Sequence, residues 1–186
     1  LVIESHIEKP EESTIFQKYP RIMHDHFAVD FICDTLRMLS MNLDDPHQVF
    51  DTMESQLEKH HHEKLAPQVA LQTMADGLPA IGIVAAVLGV IKTMGSITEP
   101  PAVLGGMIGG ALVGTFLGVF MAYGLVGPMA ARLQAVVNED GAFYKIIQAV
   151  LVAHLHGNAA QISVEIGRGD IPSGPQPSFL EMEKTL

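Results

Sequence analysis

Two long apolar runs lie back to back in this 186-residue chain, and they restrict it to very few folds. From Gly77 to Ser96 the single charged side chain is Lys92, and from Ala102 to Ala131 there is none. As a helix the first run extends about 30 Å at roughly 1.5 Å per residue, the thickness of a bilayer's hydrocarbon core. The second is longer and would tilt or extend beyond the lipid. Only residues 97–101 join them, so the two helices must be antiparallel neighbours. The runs predict a transmembrane helical hairpin. The competing reading is a hairpin buried in a soluble all-α protein, but soluble helices rarely stay uncharged much beyond about 14 residues.

The flanks support a membrane. The connecting turn carries Glu99 and no Lys or Arg, while ten of the eleven basic residues lie outside the hairpin, with Arg132 close to its end. The positive-inside rule then puts the turn outside and both chain ends in the cytoplasm. Lys92 would snorkel toward the outer interface. The net charge of −10 argues against nucleic acid, which demands a basic face. The single Cys33 fits a reducing compartment and reads as a buried apolar residue. The chain opens on Leu1 without a signal peptide, so it reads as a fragment that has lost an N-terminal part.

Outside the runs the pattern is helical. Residues 1–15 are polar and acidic, and Pro10 interrupts any helix there. Ile22, Phe27, Val29, Phe31, Ile32, Leu36 and Leu39 recur mainly at helical spacing. Asp45 and Pro46 read as the N-cap and first residue of a helix to about Lys64. Leu65–Met74 continues it as a stem toward the membrane. After the hairpin an amphipathic helix runs from Ala130 to about Leu155 and is expected to fold back on the N-terminal segment. Gly157–Asn158 breaks it, a short helix follows over 159–166, and Ser178 opens a final helix with a capping box. The fold class is thus an all-α membrane protein, with residues 1–76 as a cytoplasmic helical domain, 77–96 and 102–128 as membrane helices, 97–101 as the periplasmic turn, and 129–186 as a cytoplasmic helix and tail.

His60, His61 and His62 beside Glu58 and Glu63 invite a metal reading. Three consecutive helix positions point in different directions and cannot converge on one ion, so they are taken as a solvated polar face. No phosphate loop, nucleophile elbow or paired-carboxylate arrangement is present, so no cofactor and no enzymatic chemistry are expected.

The second membrane helix carries an every-fourth stripe of small residues: Gly106, Gly110, Gly114, Gly118 and Ala122. Such a stripe lets another backbone approach closely. It serves either the hairpin alone or a further membrane helix, and its length favours the second. Pro79 falls in the first turn of its helix, where a missing N–H costs little. Pro128 has helix on both sides; it should kink the chain and free the carbonyl of Gly124, with Thr115 and Tyr123 as the nearby polar groups. A plain helix-end kink is the alternative. Neither membrane helix holds a carboxylate, so the hairpin cannot by itself hold a proton at mid-membrane.

HIEKPEES (6–13), YPRI (19–22), LPAIGIVAAVLGVI (78–91), VGTFLGVFMAYGLVGPMA (113–130), VEIGRG (164–169) and PSFLEMEK (177–184) together resemble the MotA family, the proton-channel subunit of the bacterial flagellar stator. The resemblance implies four membrane helices, of which the present pair corresponds to the third and fourth. It implies a homo-oligomer, a pentamer, around a dimer of the single-span partner MotB, whose aspartate carries the proton. It also implies torque on the rotor protein FliG, and hence flagellar rotation, motility and chemotaxis at the inner membrane, in contact with lipid. Pro79 and Pro128 match the two prolines that couple proton movement to conformational change, Thr115 the hydroxyl lining the ion path, and Glu4 a charged residue that engages the rotor. The arginine paired with that residue would lie upstream of Leu1. Sodium-driven relatives have Thr where Ala86 stands, which favours protons here. The rival readings are the related ExbB/TolQ class, which energises outer-membrane transport, a passive membrane scaffold, and a soluble helical binding protein.

Overall fold

The structure, a computed structural model, describes residues 4–41 and 45–184, with residues 4 and 5 described by main chain alone. All regular elements among the described residues are helical. Eight α-helices follow in order: α1 (Glu4–Glu8), α2 (Pro20–Met23), α3 (His26–Ser40), α4 (Pro46–Met94), α5 (Pro101–Met121), α6 (Gly127–Leu155), α7 (Ala160–Gly169) and α8 (Phe179–Glu183). A π-helical turn, Ala122–Val126, separates α5 from α6. The chain forms two compact units, Leu1–His61 with Glu139–Leu186, and His62–Asn138.

The first unit is held by α3, the start of α4 and the end of α6. Ala28, Phe31, Val49, Met53, Leu57 and Tyr144 form its core, with Ile147 and Leu151 packed on it. The amphipathic helix after the hairpin therefore does fold back on the N-terminal helices. Asp25 starts α3 by accepting the Ala28 N–H at 3.1 Å through one carboxylate oxygen. Its other oxygen accepts the Tyr144 hydroxyl at 2.9 Å, so one side chain caps α3 and ties it to α6. Burial, with the Asp25 carboxylate beside it, holds the Tyr144 phenol above its ordinary pKa. Cys33 is buried as expected, and burial raises its thiol pKa.

One expectation fails here. His60 stacks on Phe27 with ring centroids 3.5 Å apart and meets Tyr144 edge-on at 5.5 Å, so it belongs to the aromatic cluster and not to a solvated polar face. The His61 ring stands against Gly141, where a Cβ would lie 3.2 Å from Nδ1. Among the described residues no group of His, Cys, Asp and Glu is placed to hold a metal.

The motifs at the two ends of the chain are closed by hydrogen bonds. Ser13 Oγ is 2.9 Å from His6 Nδ1 and accepts the N–H groups of Ile15 and Phe16, so HIEKPEES closes a turn around a buried serine. In the tail, Arg168 forms a forked ion pair with Glu165 and donates to the Pro177 carbonyl at 3.1 Å. Gln176 Nε2 returns a bond to the Arg168 carbonyl at 2.8 Å. VEIGRG thus clamps the segment leading into PSFLEMEK, where Ser178 and Glu181 form the expected capping box.

Helix α4 begins at Pro46, with the His47 N–H on Asp45 Oδ1 at 3.0 Å, as the sequence suggests. It then runs 49 residues without a break, through Pro67 and Pro79. Pro79 is accordingly an interior residue and not part of a first turn. Each proline removes one rung from the ladder, and flanking turns on both sides keep the helix going.

In the second unit α4 and α5 are antiparallel, with Leu78 and Gly82 beside Gly118, and Gly89 beside Ala111. Two helical stretches are long and apolar enough to cross a membrane, Pro46–Met94 and Pro101–Leu155. Only 11% of either apolar window is buried, so these are not the covered helices of a soluble core.

Candidate functional site

The candidate site is the seam between α4 and α5 together with the π turn that ends α5. Gln68, Ala75, Gly82 and Gly89 recur every seventh residue on α4, and each is buried or half-buried. Ala111 and Gly118 repeat that interval on α5. A seven-residue repeat is the signature of two helices staying in contact along a shallow left-handed crossing. The backbones are close enough that side chains are excluded. A Cβ on Gly82 would stand 2.8 Å from the Gly114 carbonyl oxygen, and one on Gly118 would stand 2.6 Å from that of Leu78. A Cβ on Gly89 would run into Ala111.

Thr115 donates its hydroxyl across this seam to the Gly82 carbonyl at 3.4 Å, and Ala85 and Ala86 flank the same point against Gly114. The structure therefore brings Thr115, Ala86, Gly114 and Gly118 together. It places the other predicted residues elsewhere. Around Gly106 and Gly110, as around Gly105 and Gly109, nothing stands within 4 Å of a Cβ position. The every-fourth stripe thus divides: Gly114 and Gly118 serve the hairpin, while the outer half is open. Tyr123 is 73% exposed, and Pro128 is exposed while Pro79 is half-buried. Glu4 begins α1, and its side chain lies outside the described residues.

The expectation for Pro128 also changes. Thr115 is committed to Gly82 and Tyr123 points outward, so neither serves the Gly124 carbonyl. What precedes Pro128 is the wide turn Ala122–Val126, closed by the Gly127 N–H donating to the Ala122 carbonyl. The sequence reading missed this turn; the adjacent Gly127–Pro128 pair was its only local signal.

Among the described residues, no ionisable side chain is buried or half-buried along the seam between Ala75 and Thr93 on α4 and Leu104 and Gly118 on α5. What the arrangement offers is a close-packed helix pair bridged by the Thr115 hydroxyl, an open glycine face on α5, and a non-α turn at its end.

The sequence over residues 23–145 matches the model of the MotA/TolQ/ExbB proton channel family. The chain is 40% identical over 182 residues to Motility protein A of Escherichia coli (strain K12), covering 98% of this chain and 62% of that protein. It is 36% identical to Chemotaxis protein LafT of Vibrio parahaemolyticus, covering 99% of this chain and 65% of the relative. The chain thus spans less than two thirds of the length of the curated relatives it matches. Its fold is similar to a solved structure of C. jejuni MotAB, with a TM-score of 0.71 and 18% identity over 94% of this chain and 68% of the other. The chain belongs to the MotA/TolQ/ExbB proton channel family.

Proposed function

We propose that this sequence is part of a flagellar motor stator subunit, an inner-membrane protein that forms a proton channel with a single-span MotB-type partner and converts proton flow into torque on the rotor protein FliG. The observation that carries this beyond the family is the 40% identity to Motility protein A, sustained over 98% of the chain and therefore through both ends as well as the hairpin. The open glycine face of α5 supports a further helix packing there, from the partner or from other copies in a pentameric ring. The carboxylate-free hairpin requires the partner to bring the proton-carrying group. Pro79, Pro128 and Thr115 are the coupling positions in this reading, Ala86 in place of a hydroxyl residue selects protons, and Glu4 faces the rotor. The basic residues put both ends of this chain in the cytoplasm.

The test is rescue of swimming in a stator-less flagellated strain by a full-length subunit carrying this sequence. Rescue that requires the aspartate-bearing partner, and that Pro128→Ala abolishes while insertion and partner binding persist, is the expected result. Insertion without rescue would transfer the assignment to the TolQ and ExbB branch of the same family, which energises outer-membrane transport.

A further inference from the structure

The π turn does something for the rest of the chain that a kink would not. Ala111 and Gly118 on α5 and Ala122, where the π turn begins, are buried on one face, and Val126, Ala130 and Val137 are the buried positions that follow. At about 100° per residue, the first three lie within roughly 40° of one another. Carried on as a plain α-helix, Ala130 and Val137 would fall about 80–100° away from that line. A π turn holds one residue more than an α turn, which takes back about 100° and returns both to the buried face. The turn is therefore a one-residue register correction across Pro128.

We infer that Gly127 is the positioning residue that keeps this correction in place. Its N–H closes the turn on the Ala122 carbonyl, and a Cβ there would lie 2.9 Å from that same oxygen. The obstacle is backbone, which cannot swing aside as a flexible side chain does. Gly124, three residues earlier, differs: its Cβ would meet only the Phe120 ring, at 3.4 Å. With Ala at 127 the turn reverts to α-helical pairing, and the start of α6, through Asn138, rotates by about 100° about the helix axis relative to α5. The register is independent of the stator reading; its consequence for torque rests on that reading.

Val136 and Val137 report the register because they differ in exposure, 37% against 8%. In the full-length subunit with Cys33 replaced by Ala, single cysteines at 136 and 137 would be labelled in native membranes with a water-soluble maleimide. The expected result is fast labelling at 136 and slow labelling at 137, with Gly127→Ala reversing that order and Gly124→Ala preserving it. Deleting Leu125 together with Gly127→Ala removes the surplus residue, so the α-helix is back in register; the original order, and swimming if the stator reading holds, should return. An unchanged order in Gly127→Ala, or a double variant that fails to restore it, overturns the inference. Should Gly127→Ala not insert, the Leu125 deletion alone decides: protection at 137 supports the register role and its loss refutes it. A failed rescue of swimming with the labelling pattern as expected would count against the torque reading alone.

Discussion

Gly118 and Gly110 look alike in the sequence and stand in different surroundings. Position 118 is pressed on the Leu78 carbonyl, whereas a Cβ at 110 would meet nothing within 4 Å. Gly118→Ala must push α4 and α5 apart, and overpacking of this kind costs about 1–3 kcal/mol. The expected outcome is a lower midpoint for thermal unfolding of the purified subunit in detergent. Gly110→Leu should leave that midpoint unchanged and abolish co-purification with the single-span partner, since a large side chain holds a further helix away. A destabilised Gly110→Leu, or one that still co-purifies, would contradict the open face as an interface. The sequence made a single stripe of these glycines because spacing by four looks straight on paper. On a helix of about 3.6 residues per turn each step of four advances roughly 40°, so Gly106 and Gly118 face some 120° apart. The seam follows the seven-residue interval instead, and that repeat crosses from polar Gln68 to Gly89, which a search for small residues alone passes over.

At the scale of elements, α3 is fixed by one carboxylate shared between its cap and α6. Asp25→Ala removes the cap, at about 0.5–2 kcal/mol, and leaves the buried Tyr144 hydroxyl without its acceptor, at about 1–3 kcal/mol. Tyr144→Phe removes one hydrogen bond, about 1 kcal/mol, and Asp25 keeps the Ala28 N–H. Thermal unfolding should therefore rank Asp25→Ala well below Tyr144→Phe; equal shifts would mean that the cap contributes nothing. The longer helices were legible, because apolar periodicity and the Asp45–Pro46 and Ser178–Glu181 caps are local signals, whereas α1 lies in the polar segment that gave no such signal. The misses share a different cause. Phe27, His60 and Tyr144 meet only after the chain has passed out along α4 and back along α6, so no spacing along the sequence reveals the stack. Pro79 reads from the sequence as a first-turn residue, but α4 runs on through it. The π turn was hard to see because the segment Ala122–Val126 carries no distinctive pattern of its own, and its one local signal, Gly127 beside Pro128, also fits a simple kink.

For the whole molecule, the decisive feature is where charge is absent. Asp76 stands at one end of the first apolar run and Glu99 in the turn at the other, with no carboxylate between them or from Pro101 to Ala131. A proton crossing a bilayer needs an acceptor near its middle, because an unsupported charge there is too costly. Apart from the exposed Lys92 near the turn, the side chains the hairpin presents are apolar or hydroxyl-bearing, such as Thr115, which is bonded to Gly82, and Tyr123, which is exposed. Neither hydroxyl relays a proton through the seam as packed, since Gly82, Gly89 and Gly118 leave no room for a file of water between the backbones. On the proposed stator reading, the conducting path runs along the outer surface of the hairpin, against the partner that brings the carboxylate. Vesicles holding the full-length subunit alone should show no proton uptake under an imposed potential, read by an internal pH dye. Adding the single-span partner should open the path, and replacing its membrane carboxylate with an amide should close it again. Uptake through the subunit alone would mean that it needs no partner, and the division of labour drawn from the seam would be wrong.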